Sequence, residues 1–150
     1  MLYYAVIYNS LLDAVDEEVS RVADAAYSDA GESLYDQIII TERDTNVLYN
    51  MVDGAVTAIV NRCADVCTYA PTSGSSPIMR LAFYLPDFGA VSWSVVEDEL
   101  SKFIVYSTVA QFLTQRHPAS SPEYNERAMA ALAKAASLMK IRKAPLEIWK

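Results

Sequence analysis

Between Ser94 and Ala144 two amphipathic helical patterns are separated by a short Pro/Ser turn and followed by a small basic, apolar tail. In the first pattern Val96, Leu100, Phe103, Ile104, Ser107, Gln111 and Phe112 mark the faces of a helix that stops before Pro118. Ser94 and Glu97 read as its capping box. In the second, Ser121, Pro122 and Glu123 supply an N-cap, a proline at the first helical position and an early acid. Tyr124, Ala128, Ala131, Leu132, Ala135, Leu138 and Met139 then recur at the spacing of one helical stripe. Two helices joined by so short a turn must lie antiparallel, and the alanines of the second imply close approach.

Upstream the same periodicity predicts two more helices. From Ser10, a plausible N-cap, Leu12, Val15, Val19, Val22, Ala23 and Ala26 step by three and four, with Asp13, Asp16, Glu17 and Glu18 in the opening turns. Asp29, Ala30 and Gly31 break this helix. The connector 32–40, ESLYDQIII, offers Ile38, Ile39 and Ile40 to the core, and Thr41 with Asp44 resembles a capping box. Val47, Leu48, Met51, Val52, Val56, Ile59, Val60, Cys63 and Cys67 then keep helical spacing for about six turns. Gly54 within that run weakens the helix by about 1 kcal/mol relative to alanine, which suggests that a neighbouring helix approaches closely there.

The period changes from 3.6 to 2 after the loop 71–77, PTSGSSP. Across 78–85, Met79, Leu81, Phe83 and Leu85 face one way and Arg80, Ala82 and Tyr84 the other, as in a half-buried strand. A lone strand leaves its backbone unpaired, so a partner is required. The candidates are residues 68–70 folded back as a hairpin, the N-terminal LYYAVIY, or another subunit; LYYAVIY itself reads equally as a strand or an early start of the first helix. The expected fold is therefore mostly α, a four-helix bundle-like single domain over 1–150 with a minor β-strand or hairpin element, and 144–150 a candidate docking tail.

Hydrophobic residues make up 53% and charged residues 21% of the 150, enough for a real core without disulfides. Cys63 and Cys67 would share a helical face as reduced thiols. No apolar run approaches the roughly 18 residues that span a bilayer, and LYYAVIY lacks the marks of a signal peptide. The net charge of −7 is uneven: residues 1–70 carry 12 acids and 3 bases, residues 71–150 carry 7 acids and 9 bases. Such polarity suits stacking of copies or docking on a basic partner, and argues against free nucleic acid.

Candidate chemistry is sparse. The one histidine, His117, lies between Arg116 and Pro118 at a helix end, where a cation satisfies carbonyls. Glu97, Asp98 and Glu99 occupy an opening helical turn with no Glu-x-x-His beside them. No nucleophile motif, phosphate loop or metal spacing is present, so neither an enzyme nor a cofactor is expected. Ten tyrosines, with Tyr3, Tyr4, Tyr8, Tyr27, Tyr35 and Tyr49 crowded into the first third, suit an interface or a core with wet tips. In the tail Lys140, Arg142 and Lys143 precede Pro145, after which Leu146, Ile148 and Trp149 present apolar side chains fit for docking on a partner.

The order of these elements, with the cues YDQIIITERD, RLAFYLPDF and the segment from Tyr124 to Pro145, resembles small, mostly helical structural proteins of tailed phages and prophages, of the head-tail connector or neck-adaptor type. The resemblance covers the layout of residues 10–145. It implies a non-catalytic subunit that forms a ring beneath the portal and contacts portal, tail or copies of itself, made in the cytoplasm and carried in the virion. It also directs attention to the strand at 78–85, with Arg80 and Tyr84, and to the tail at 140–150. The alternative is a helical adaptor or regulatory module that binds a host protein or a small apolar ligand between its helices.

Overall fold

The computed structural model describes residues 1–70, 79–85, 88 and 92–139. The chain opens with strand β1 (Leu2–Val6) and enters helix α1 (Tyr8–Ala25) after a single residue. Ile7, in extended conformation, is the N-cap, and no side chain caps this end. Ser10 is thus inside the helix rather than ahead of it, because the strand delivers the chain directly to Tyr8. Of the expected stripe Val15, Val19 and Ala23 are buried, whereas Leu12 and Val22 are half-buried and Leu11 takes the core position at the start. Beyond α1 a turn closes by an isolated bridge from Tyr27 to Ser33. It contains Gly31 at φ +82°, a left-handed conformation that glycine adopts without a Cβ penalty.

A single helical turn, α2 (Tyr35–Ile38), drives Ile38 fully into the core, while Ile39 and Ile40 are only half-buried. The Thr41–Asp44 box is present: the Asp44 carboxylate accepts from the Thr41 N–H at 2.8 Å and from its hydroxyl at 3.3 Å. It opens a short 3₁₀ turn, Glu42–Asp44, that runs on into α3 (Thr45–Arg62). Helix α3 ends sooner than the spacing suggests. Cys63 is its C-cap and Cys67 begins β2 (Cys67–Tyr69), so the two cysteines share a turn rather than a helical face, with the Cys67 N–H donating to the Cys63 carbonyl at 2.8 Å.

Gly54 also departs from expectation. It is exposed, and a Cβ built there meets nothing within 4 Å. No helix approaches it, so Gly54→Ala is expected to raise stability by about 0.5–1 kcal/mol through helix propensity alone, read as a higher urea midpoint with an unchanged m-value.

The strand at β3 (Met79–Phe83) takes two of its three candidate partners at once. It is the centre of a three-stranded sheet ordered β1-β3-β2, antiparallel on both sides. Leu2 and Cys67 flank Phe83, and Tyr4 and Tyr69 flank Leu81. With both edges of β3 paired within the chain, another subunit is not needed to satisfy it. The inner face puts Tyr4, Val6, Leu81 and Phe83 into the core.

Helix α4 (Trp93–Arg116) organises the rest. Its N-cap is Ser92, whose hydroxyl accepts from the Ser94 N–H at 3.3 Å; the box expected from Ser94 and Glu97 lies inside the helix. Buried residues run all round it, from Val96, Leu100 and Ile104 to Val105, Val109 and Phe112. Apolar burial around the whole circumference marks a helix enclosed by others. Indeed α4 packs on α1, on α3 and most extensively on α5 (Ser121–Leu138). The fold is mostly helical with a minor antiparallel sheet, and three of its four long helices gather around the fourth, α4, rather than forming a symmetric bundle. Thr108, on the buried side of α4, has no hydrogen-bond partner for its hydroxyl among the described residues.

A 3₁₀ turn, Pro118–Ser120, reverses the chain into α5, which starts one residue earlier than expected, with Ser120 as N-cap. Ser121 turns its hydroxyl back to the Ala110 carbonyl at 2.8 Å, pinning the reversal. Ala128, Ala131 and Ala135 are buried, as close helix packing requires. Among the described residues no helix is long and apolar enough to cross a membrane.

Candidate interaction surface

Strand alternation sorts the side chains of the sheet between its two faces. Arg80 is exposed on the face away from Leu81 and Phe83, beside its cross-strand partner Ala5, whereas Ala82 on the same parity, between Tyr3 and Thr68, is buried, so strand alternation alone does not give Arg80 its exposure. The Arg80 guanidinium lies 5.1 Å from the centre of the Tyr3 ring, a cation–π contact that holds both side chains on this face. Tyr84 follows β3 on the same parity and is 62% exposed, anchored by its N–H to the Val66 carbonyl at 2.8 Å. Arg80 and Tyr84, singled out from the sequence, therefore belong to one surface together with Tyr3. Lys140, Arg142, Lys143, Leu146, Ile148 and Trp149 lie outside the described residues.

Trp93, which periodicity did not single out, braces this surface. Its indole N–H donates to the Tyr3 carbonyl at 2.9 Å, and its ring meets Phe83 and Phe88 edge-on. One carbonyl on the outer edge of β1 is thus occupied by a side chain. The only sequence sign was an aromatic residue between two serines at a helix start.

The tyrosines divide by burial. Tyr4 and Tyr124 are core residues whose hydroxyls reach Ser101 at 2.8 Å and Glu18 at 3.0 Å. Tyr8 donates to Asp53 at 2.6 Å and tilts against Tyr49. Tyr3, Tyr27, Tyr69 and Tyr84 remain exposed.

The groups suspected of chemistry hold helices together. Asp44 and Arg116 pair at 2.6 Å, and Arg116 also donates to the Ile39 carbonyl at 3.1 Å. Arg116 is the basic residue in the last turn of α4 and bonds outside that helix; His117 is the C-cap and its Nδ1 pairs with the Ser120 hydroxyl at 2.8 Å. Glu99 is not in the opening turn of its helix, which begins at Trp93; it is buried and drawn to Lys102 at 3.4 Å and Lys134 at 3.6 Å. Among the described residues no group of three or more His, Cys, Asp or Glu side chains could hold a metal ion.

Burial pushes the Cys63 thiol up to about 11 and the Cys67 thiol, with Cys63 beside it, up to about 12. The same cause raises the Tyr4 and Tyr124 phenols to about 12, Tyr124 further through its bond to Glu18. All four are neutral acids whose folded pKa exceeds the unfolded one. Their contribution is fully present below pH 9.0, the ordinary thiol value, and is lost as pH rises towards 12. The urea midpoint is expected to be flat from pH 7 to about 8.5 and to fall steadily above it. A Cys63→Ala, Cys67→Ala double variant should start lower but fall less steeply before the phenols ionise.

The described residues also form two open grooves. One, of about 410 Å³, lies at the turn between α4 and α5 beside Gln111, Thr114, Pro122 and Asn125, and carries no charged side chain. The other, of about 350 Å³, runs between α1 and α4 over Leu11, Ala14, Val105 and Tyr106. Glu17 and Glu18 stand on its α1 rim, and Lys102 on its α4 rim. Comparison of the chain with protein-family models, curated proteins and solved structures finds no match.

Proposed function

We propose that the chain is a non-catalytic phage or prophage virion assembly protein, a head-tail connector or neck subunit that works by presenting surfaces to portal, tail or further copies of itself. The observation that carries this reading is the outer sheet face. Tyr3, Arg80 and Tyr84 project from a braced sheet, while Asp44, Arg116 and Glu99 are engaged in tying helices together. Tyrosine and arginine are the residues that carry most binding energy when a neighbour desolvates them. The layout of residues 10–145 adds the virion context.

The test begins with the DNA on either side of the coding region. Portal, terminase, capsid and tail reading frames are expected there; metabolic or signalling genes would overturn the reading. Purified chain mixed with that portal protein should then yield ring-bearing particles by negative-stain electron microscopy. Arg80→Glu with Tyr84→Ala, both on exposed positions, should weaken that association at least tenfold without lowering the melting temperature by more than a few degrees.

A further inference from the structure

The groove between α1 and α4 has a feature that the assembly reading does not use: one end of it faces the side on which α5 ends. Helix α5 runs back along α4. Ser121 bonds the Ala110 carbonyl, the Tyr124 ring lies 6.0 Å from Tyr106, and Lys134 reaches Glu99 at 3.6 Å. Each step towards the end of α5 is a step towards the start of α4. The last helical residue, Leu138, and its C-cap Met139 therefore lie beyond Glu99, past the end of the groove lined by Ser10, Ser101 and Lys102. At the other end Tyr124 closes the groove through its hydroxyl bond to Glu18.

We propose that residues 140–150 of the same chain dock along this groove. Three observations meet there. First, the segment starts past that end of the groove and its 11 residues can extend about 35 Å, while the groove lies only about 15 Å back along α4. Second, the floor of Leu11, Ala14, Val105 and Tyr106 is apolar, as are Ile141, Leu146, Ile148 and Trp149. Third, the charges are opposite: the segment opens with Lys140, Arg142 and Lys143, and the α1 rim carries Glu17 and Glu18 with Asp13 one turn before.

Two bases on the body face the same carboxylates or their neighbours, and neither removes the excess. Arg21 touches Glu17 at 3.4 Å and Glu18 at 3.1 Å from beyond the groove, and Lys102 is drawn to Glu99. The Glu17 side chain is 73% exposed and stays available to a further cation. Docked in this way, the segment is withheld from any neighbour until one competes for it. The device stands whether or not the protein is a virion component.

Amide hydrogen exchange on the full chain tests it. The amides of 141–150 are expected to exchange at least tenfold more slowly than in a free peptide of the same sequence, with the protection lost in 0.5 M salt. Two variants on exposed or half-buried groove positions, Glu17→Lys and Ala14→Arg, should each return them towards the free rate while exchange in α4 and α5 is unchanged. Adding Arg142→Glu to Glu17→Lys should restore protection. Free-peptide exchange in the unaltered chain, or protection indifferent to both variants, would overturn the proposal. Protection that falls on dilution would overturn it too, since the groove would then be filled by a second copy.

Discussion

Phe83→Ala is expected to destabilise the protein by about 3–5 kcal/mol, the cost of emptying a large buried ring site. Phe83 is fully buried at the end of the central strand, where Leu2 and Cys67 flank it and Trp93 meets it edge-on at 5.3 Å. The side chain thus joins both strand pairs to the start of α4, and its loss opens a void that three elements must close. Domains of this size are stable by about 5–15 kcal/mol in all, so the variant should sit near the edge of folding at 37 °C. Urea denaturation followed by circular dichroism reads the loss directly. Tyr84→Ala, one residue on and exposed, is the control and should shift stability by no more than about 0.5 kcal/mol. A comparable loss in the two variants would mean that the sheet's inner face is not the core surface described here.

Removing Asp44 is expected to cost about 2–4 kcal/mol, because one carboxylate serves two structures. It closes the box with Thr41 that starts α3, and it neutralises Arg116 at the end of α4, 72 residues away in sequence. Arg116 in turn holds the Ile39 carbonyl and lies over the Phe112 ring at 4.6 Å. Asp44→Ala leaves that guanidinium, 30% exposed, without its counter-charge. Asp44→Asn keeps an oxygen for the Thr41 N–H and loses the charge, so it should cost less than Asp44→Ala. The double-mutant cycle with Arg116→Ala is expected to return a coupling of about 1–2 kcal/mol. Additive losses would reduce the pair to two independent local roles.

These two sites mark the boundary of what was legible in the chain. The Thr41–Asp44 box and the α1, α3 and α5 stripes were visible because each is decided within a few residues by spacing and capping. The same local rules misplaced the ends. Ser10, Ser94 and Ser121 all look like N-caps, yet a strand, Ser92 and Ser120 start the helices instead, since several polar residues compete for each start and packing chooses among them. Cys67 kept helical spacing with Cys63 while belonging to a strand, because four residues are also the length of the turn that joins α3 to the sheet. Gly54 suggested close packing and has open space around it.

For the candidate surface, period 2 across 78–85 was enough to separate Arg80 and Tyr84 from Leu81 and Phe83. It said nothing of the contact between Tyr3 and Arg80, 77 positions apart, or of the bond from Trp93 to the Tyr3 carbonyl across 90 positions, which no local pattern encodes.

The sequence by itself determined the helical character, the half-buried strand, the antiparallel α4–α5 pair and the outward position of Arg80 and Tyr84, all of which follow from periodicity and turn chemistry over short spans. Only the tertiary structure decided that β3 is central, that α4 is enclosed by its neighbours, and that Glu99 and Arg116 serve as ties between helices. Those outcomes depend on which distant surfaces meet, and burial energy is a property of the pair of surfaces rather than of either segment alone.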